Sequence, residues 1–170
     1  MNEEKVLNQP PIIQVVGYSN SGKTTLVCRM IKHLTSKGYK VGSIKHDAHD
    51  FEVDKPGKDT WKHREAGARV VAITSADKTA IIIQQHKSIE ELLPHYERMD
   101  LVIVEGYKFA GYPKIVVIRK PEHEELLEKV TSVLAVAAWY PLENLPHKQY
   151  DINEYEKITG EVLAYIKGDK

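Results

Sequence analysis

Gly17-Tyr18-Ser19-Asn20-Ser21-Gly22-Lys23-Thr24-Thr25 gathers the residue types needed to hold a polyanion. It matches the phosphate-binding pattern G-x-x-x-x-G-K-[ST] without a mismatch. Gly17 and Gly22 let the backbone turn and approach a ligand with no Cβ in the way. The loop amides of Ser19, Asn20, Ser21 and Thr25 can then face inward as an anion nest. Lys23 brings a cation to the outer phosphates, and the Thr24 hydroxyl is placed to ligate Mg²⁺. A helix that begins directly after the loop turns its partly positive end towards the same anion.

A second stretch supplies an acid. Asp100-Leu101-Val102-Ile103-Val104-Glu105-Gly106-Tyr107 is a continuous apolar run with a carboxylate at each end. Such a run reads as a central strand covered on both faces. Beside a phosphate loop, a strand of this kind holds Mg²⁺ through an acid at its carboxyl end. Aspartate is the common residue for that job, but Asp100 and Glu105 are separated by about 16 Å at the rise of an extended chain. Only Glu105 therefore reaches the ligand edge, as metal ligand and catalytic acid.

A third stretch, residues 46–60, is polar, aperiodic and rich in ionisable side chains. It follows a strand at the edge where open α/β sheets bind ligands. We read it as a phosphate-responsive segment in which Asp47 and Asp59 contact Mg²⁺ or the attacking water. His46, Asp47, His49 and Asp50 also have ligand-type side chains, but no cysteines at structural-zinc spacing accompany them, which speaks against a zinc site.

The flanking elements must position these groups. Ile12-Ile13-Gln14-Val15-Val16 reads as a buried strand. Leu26, Val27, Met30, Ile31 and Leu34 recur at helical spacing, with a stop at Lys37-Gly38. Residues 40–45 read as a second strand, parallel to the first because a helix joins them. Asp59 or Thr60 is expected to cap a short helix ending at Gly67. Within that helix, Arg64 is expected on the solvent face. Residues 69–74 and 79–84 form a hairpin, since the link Ser75-Ala76-Asp77-Lys78 is too short for anything else. Ser88 is expected to cap a short helix. Residues 114–119 and 133–138 are strands, the latter the last of the chain, and residues 122–129 are helical after Pro121. A final helix starts from Asp151 or Asn153 and buries Ile158, Val162, Leu163 and Ile166. The expected fold is α/β: a three-layer sandwich of the P-loop NTPase type, with a mostly parallel sheet and an antiparallel hairpin.

The 170 residues suit a single nucleotide-binding domain, 1–170, with residues 1–9 a loose lead-in. Lys and Arg number 24 and Asp and Glu 24, so the net charge is zero and no basic footprint for nucleic acid exists. No apolar run is long enough to span a membrane. The one cysteine, Cys28, is expected to be a small buried residue of the first helix. A cytoplasmic protein is the simplest fit.

Assembled, these pieces resemble the MobB family, the P-loop adapter proteins of molybdopterin-guanine dinucleotide biosynthesis. The resemblance spans nearly the whole chain. It rests on Gly17–Thr25, on Lys45-His46, on Asp54-Lys55-Pro56-Gly57-Lys58-Asp59-Thr60, on Ala66-Gly67-Ala68 and on Asp100–Lys108. It implies GTP binding with Mg²⁺, at most slow GTP hydrolysis, and a homodimer. It also implies partnership with a MobA-type guanylyltransferase, and with molybdopterin or its carrier enzyme. Two features depart from expectation. No Asn-Lys-x-Asp guanine-reading motif occurs, and Trp139 follows the last core strand where a small polar or acidic residue would sit near a guanine. Two other readings share the same loop: a small ATP-dependent phosphotransferase, and a module whose nucleotide only holds a dimer together. A phosphotransferase needs arginines and a lid over the phosphates. The sequence has Arg64 and Arg69, but no arginine in or next to the loop.

Overall fold

A computed structural model describes residues 9–47 and 51–168. His49 and Asp50, considered above as ligands, lie outside the described residues, as does nearly all of the lead-in.

Two compact units make up the chain: one comprises the residues up to His46 and from Leu93 onward, the other Asp47–Leu92. The first unit is built on a six-stranded sheet. Its strands are β1 (Ile12–Gly17), β2 (Val41–Lys45), β5 (Leu101–Glu105), β6 (Lys114–Ile118), β7 (Val133–Ala138) and β8 (Gln149–Asp151), in the order β2-β5-β1-β6-β7-β8. All neighbouring pairs are parallel. The expected parallel relation of β1 and β2 holds, with β5 inserted between them. β8 is an addition to the expected strands. Its three residues are polar and half exposed at the sheet edge, so no apolar run marks it.

Both faces of the sheet are covered, which is why β1, β5 and β6 are buried at every position. On one face, Ile13, Val15, Ile103 and Ile115 pack with Leu26, Met30 and Leu34 of α1 (Lys23–Ser36). Ile158 and Val162 of α5 (Tyr155–Lys167) join them. On the other face, Val16, Val116 and Val136 pack with Leu126 of α4 (Leu126–Lys129) and with Val130. Each such side chain contributes about 1.5–3 kcal/mol by leaving water. Cys28 is exposed, contrary to expectation. With Leu26, Val27, Met30 and Leu34 turned to the sheet, its position falls on the far side of α1. The expected helix at 122–129 is split into a 3₁₀ turn, Pro121–His123, and the short α4. The last helix is capped by Glu154 rather than by Asp151 or Asn153.

The second unit holds α2 (Asp59–Glu65), the antiparallel hairpin β3 (Val70–Thr74) with β4 (Thr79–Ile83), and α3 (Ile89–Leu92). Neither Asp59 nor Thr60 caps α2. Lys58 holds the N-cap position without a side-chain cap bond, and the Thr60 hydroxyl instead donates to Asp54 Oδ1 at 2.8 Å. Arg64 is also not directed to solvent: its side chain is 12% exposed and is held by Glu52 at 3.1 Å and Asp54 at 3.3 Å. Two acids ahead of the helix draw the guanidinium back along it. Ser88 caps α3 as expected, its Oγ accepting from the Glu91 amide at 3.2 Å while Glu91 accepts from the Ser88 amide at 2.9 Å.

Candidate functional site

β1 delivers the loop to the carboxyl edge of the sheet, and α1 leaves from it. Gly17 is required by space rather than by φ. A Cβ there would lie 2.8 Å from both Ser21 Oγ and the Val117 carbonyl. Gly22 is required by conformation. It caps α1 in the left-handed region, at φ 104°, and Asn20 is also left-handed. No acidic residue occupies the first turn of α1, so its positive end is left for a ligand. The hydroxyl of Ser21 is fully buried and has no hydrogen-bond partner. An orphaned hydroxyl inside such a loop costs about 1–3 kcal/mol unless something polar arrives. Ser19, Asn20, Thr24 and Thr25 are exposed along the crest.

The Lys23 ammonium folds back onto the Tyr18 carbonyl at 2.7 Å. Burial pushes its pKa below the ordinary value, Glu105 pulls it back up, and the Lys108 and Lys45 ammonium groups push it down again. Lys23 thus feels two further cations and one carboxylate. Lys108 is spread over the Tyr18 ring, 4.2 Å from its centroid. Lys45 is the register partner of Glu105. A bound polyanion would relieve this excess of positive charge.

Glu105 is 7% exposed, at the end of β5. Its Oε1 accepts a 2.7 Å hydrogen bond from Thr24 Oγ1. The hydroxyl and the acid chosen from sequence for Mg²⁺ therefore stand side by side. Asp100 sits at the opposite end of β5, where its Oδ2 takes the Lys40 amide at 2.6 Å. Among the described residues, no group of three His, Cys, Asp or Glu side chains could hold a metal by protein ligands alone. Mg²⁺ is usually bound by one or two carboxylates together with substrate phosphates, and Thr24 with Glu105 offers one hydroxyl and one carboxylate. When bound, Mg²⁺ would be held by Thr24 and Glu105 and would supply positive charge to the phosphates. Asp47 and Asp59 belong to the second unit. Asp59 opens α2, exposed, 3.7 Å from Lys62, and Asp47 is an exposed residue just after β2.

Gln14 and Arg119 join this edge without having been expected there, and Trp139, already noted after the last core strand, is tied to the loop itself. Gln14, fully buried within β1, donates from Nε2 to the carbonyls of Gly106 at 3.1 Å and Tyr107 at 2.7 Å. It thereby holds the turn that follows Glu105, in which Gly106 has φ 102°. One amide in an otherwise apolar strand was the available signal. Arg119, the residue after β6, donates from Nη1 to the Asn20 carbonyl. The loop therefore does have an arginine beside it, supplied by a neighbouring strand rather than by the adjacent sequence. Trp139, the residue after β7, donates from Nε1 to the Ser21 carbonyl at 2.8 Å, and the Arg119 guanidinium lies 5.2 Å from its ring.

Residues 12–139 match the family model of MobB, molybdopterin guanine dinucleotide synthesis protein B. The molybdopterin-guanine dinucleotide biosynthesis adapter protein of Haemophilus influenzae is 40% identical over 156 residues, 89% of this chain and 87% of the relative. Its Escherichia coli counterpart is 33% identical over 165 residues, 92% of this chain and 94% of the relative. A crystal structure of a MobB protein homolog from Bacillus stearothermophilus superposes with a TM-score of 0.75 at 28% identity, covering 92% of this chain and 98% of that one. HypB, a hydrogenase maturation factor of Archaeoglobus fulgidus, shares the fold at 16% identity and a TM-score of 0.53, covering 92% of this chain and 90% of that one.

Proposed function

Because the chain belongs to the MobB family, we propose that it is a nucleotide-binding adapter in molybdopterin guanine dinucleotide biosynthesis. It binds GTP with Mg²⁺, hydrolyses it slowly at most, and assists a MobA-type guanylyltransferase in the cytoplasm. The observation that carries the nucleotide reading is the 2.7 Å bond between Thr24 and Glu105 beneath a loop whose buried Ser21 hydroxyl lacks a partner. In this reading the amides of Gly17–Thr25 cradle the phosphates and Lys23 leaves the Tyr18 carbonyl for the outer phosphates. Thr24 and Glu105 turn from each other to the metal. Asp47 and Asp59 are candidates for contacting the metal or the attacking water.

The adapter role rests on the relatives, whose names carry it. A homodimer is part of the same proposal, and the hairpin supports it. Val70, Ile81 and Ile83 share one face of β3–β4 by register, and each is at least 36% exposed. A two-stranded sheet is marginal by itself, and a second copy of the chain would cover these side chains. Calorimetric titration of GTP, GDP and ATP, each with and without Mg²⁺, tests the nucleotide reading. GTP should bind in a Mg²⁺-dependent manner. If no nucleotide binds, the proposal fails.

A further inference from the structure

The sheet order fixes how a nucleotide must run along the carboxyl edge. Thr24 and Glu105, the pair suited to the metal end of a triphosphate, lie on the β5 side of β1. Lys45 of β2 is on that side too. The nucleoside must leave the loop in the other direction, over β6 and β7. The residues waiting at the ends of those strands are Arg119 and Trp139. β7 is two strands from β1, about 10 Å at the usual strand spacing, a distance comparable to that between a nucleotide's innermost phosphate and its base.

Both residues are already fixed to the loop. Arg119 holds the Asn20 carbonyl and Trp139 holds the Ser21 carbonyl at 2.8 Å. A Cβ on Gly22 would lie 3.2 Å from Trp139 Cζ2, so the indole fits against the glycine with no room to spare. The guanidinium stacks on the indole, 5.2 Å from the ring. Yet Trp139 remains 46% exposed. A large aromatic side chain that is pinned at one edge, backed by a guanidinium and still nearly half exposed is a prepared stacking surface.

We propose that Trp139, steadied by Arg119, is the seat of the nucleobase. The base is held by stacking, on a platform hydrogen-bonded to the same loop that binds the phosphates. This inference rests on the nucleotide reading above and adds the recognition of the base. It also gives the tryptophan that departs from the expected guanine site a role of its own.

The test compares Mg–GTP with Mg–tripolyphosphate, which has the phosphates and no base. In the native protein GTP should bind more tightly than tripolyphosphate and should quench tryptophan emission. Trp139→Ala should weaken GTP by about 5- to 150-fold, the usual worth of one base stacked on an aromatic ring, and tripolyphosphate by less than about two-fold. Trp139→Phe should keep most of the GTP affinity while abolishing the quenching, and Trp61→Phe should leave the quenching in place. Thermal melts of each variant establish that it is folded. If Trp139→Ala weakens both ligands equally, the indole only braces the loop and the base seat is wrong. It is wrong too if the native protein binds tripolyphosphate as tightly as GTP, although the phosphate site then stands. If the native protein binds neither, the nucleotide reading itself has failed.

Discussion

At the scale of single residues, Lys23 and Glu105 set the strongest expectations. Lys23→Ala removes the cation aimed at the outer phosphates and leaves the surrounding core untouched. A ligand at about 100 times its dissociation constant stabilises by about 2.7 kcal/mol, and the variant should lose most of that thermal shift while melting near the native temperature without ligand. Glu105→Gln should remove the Mg²⁺ dependence of binding, whereas Asp100→Asn should leave it, because Asp100 is tied to the Lys40 amide at the other end of β5. A Mg²⁺ titration of both variants with GTP decides this. The difference was legible in the sequence, since strand rise alone separates the two acids. Arg119 was not legible, and of Trp139 only its place after the last core strand was. Their bonds to the loop join residues 99 and 118 positions apart, across strands whose order no local pattern records.

The depressed pKa of Lys23 gives a pH dependence with a definite sign. Burial, the largest cause, holds it below the ordinary 10.5, and bound phosphates would raise it again. Binding therefore favours the protonated lysine. GTP affinity should be constant around neutrality, fall as pH rises through the depressed value of the free protein, and level off above the value in the complex. For folding the sign is opposite. The native state binds fewer protons than the unfolded chain in this window, so the ligand-free protein gains stability as pH rises towards 10.5. Calorimetry on the alkaline side, in two buffers of different ionisation heat, should register proton uptake on GTP binding, and Lys23→Met should not show it.

At the scale of elements, β1, α1 and β5 were readable because both signals are local: apolar runs in the strands and helical spacing in α1. β8 and the break between the 3₁₀ turn at Pro121–His123 and α4 were not, since short polar pieces carry no period. α2 starts at Asp59 without a side-chain cap, and Thr60 and Arg64 are drawn to Asp54, a contact that caps by residue type do not foresee. The hairpin carries the prediction that belongs to this scale. Val70 and Ile83 are directly opposite each other, with Ile81 beside them on the same face. Ile81→Lys with Ile83→Lys should leave Val71, which is buried on the other face, in place. Sedimentation should then change from dimer to monomer with the far-ultraviolet spectrum kept. A native chain that already sediments as a monomer would remove the homodimer from the proposal.

At the scale of the whole molecule, the proposed slow turnover follows from where the arginines are. Phosphoryl transfer is catalysed by positioning and by charge placed on the transferring group, and an arginine brought to that group can be worth about 10³ to 10⁵ in rate. The arginine beside the loop is already committed: Arg119 donates to the Asn20 carbonyl and stacks on Trp139, on the β6–β7 side, while Thr24 and Glu105 meet on the β5 side. Arg64 is held by Glu52 and Asp54 within its own unit. The cations that act on one another at the loop are Lys23, Lys45 and Lys108, which hold phosphate as point charges but lack the planar fork of a guanidinium. In the proposed reading, a chain of this design binds nucleotide first and a partner completes the site. Single-turnover cleavage of Mg–GTP by the protein alone should therefore be far slower than the 1 to 10³ per second of ordinary enzymes, as an order of magnitude. Adding a MobA-type guanylyltransferase should raise it if the partner brings the missing charge, and Arg119→Lys should barely change the rate of the isolated protein. An isolated rate within the ordinary enzyme range would contradict the adapter reading and favour a phosphotransferase with the same loop.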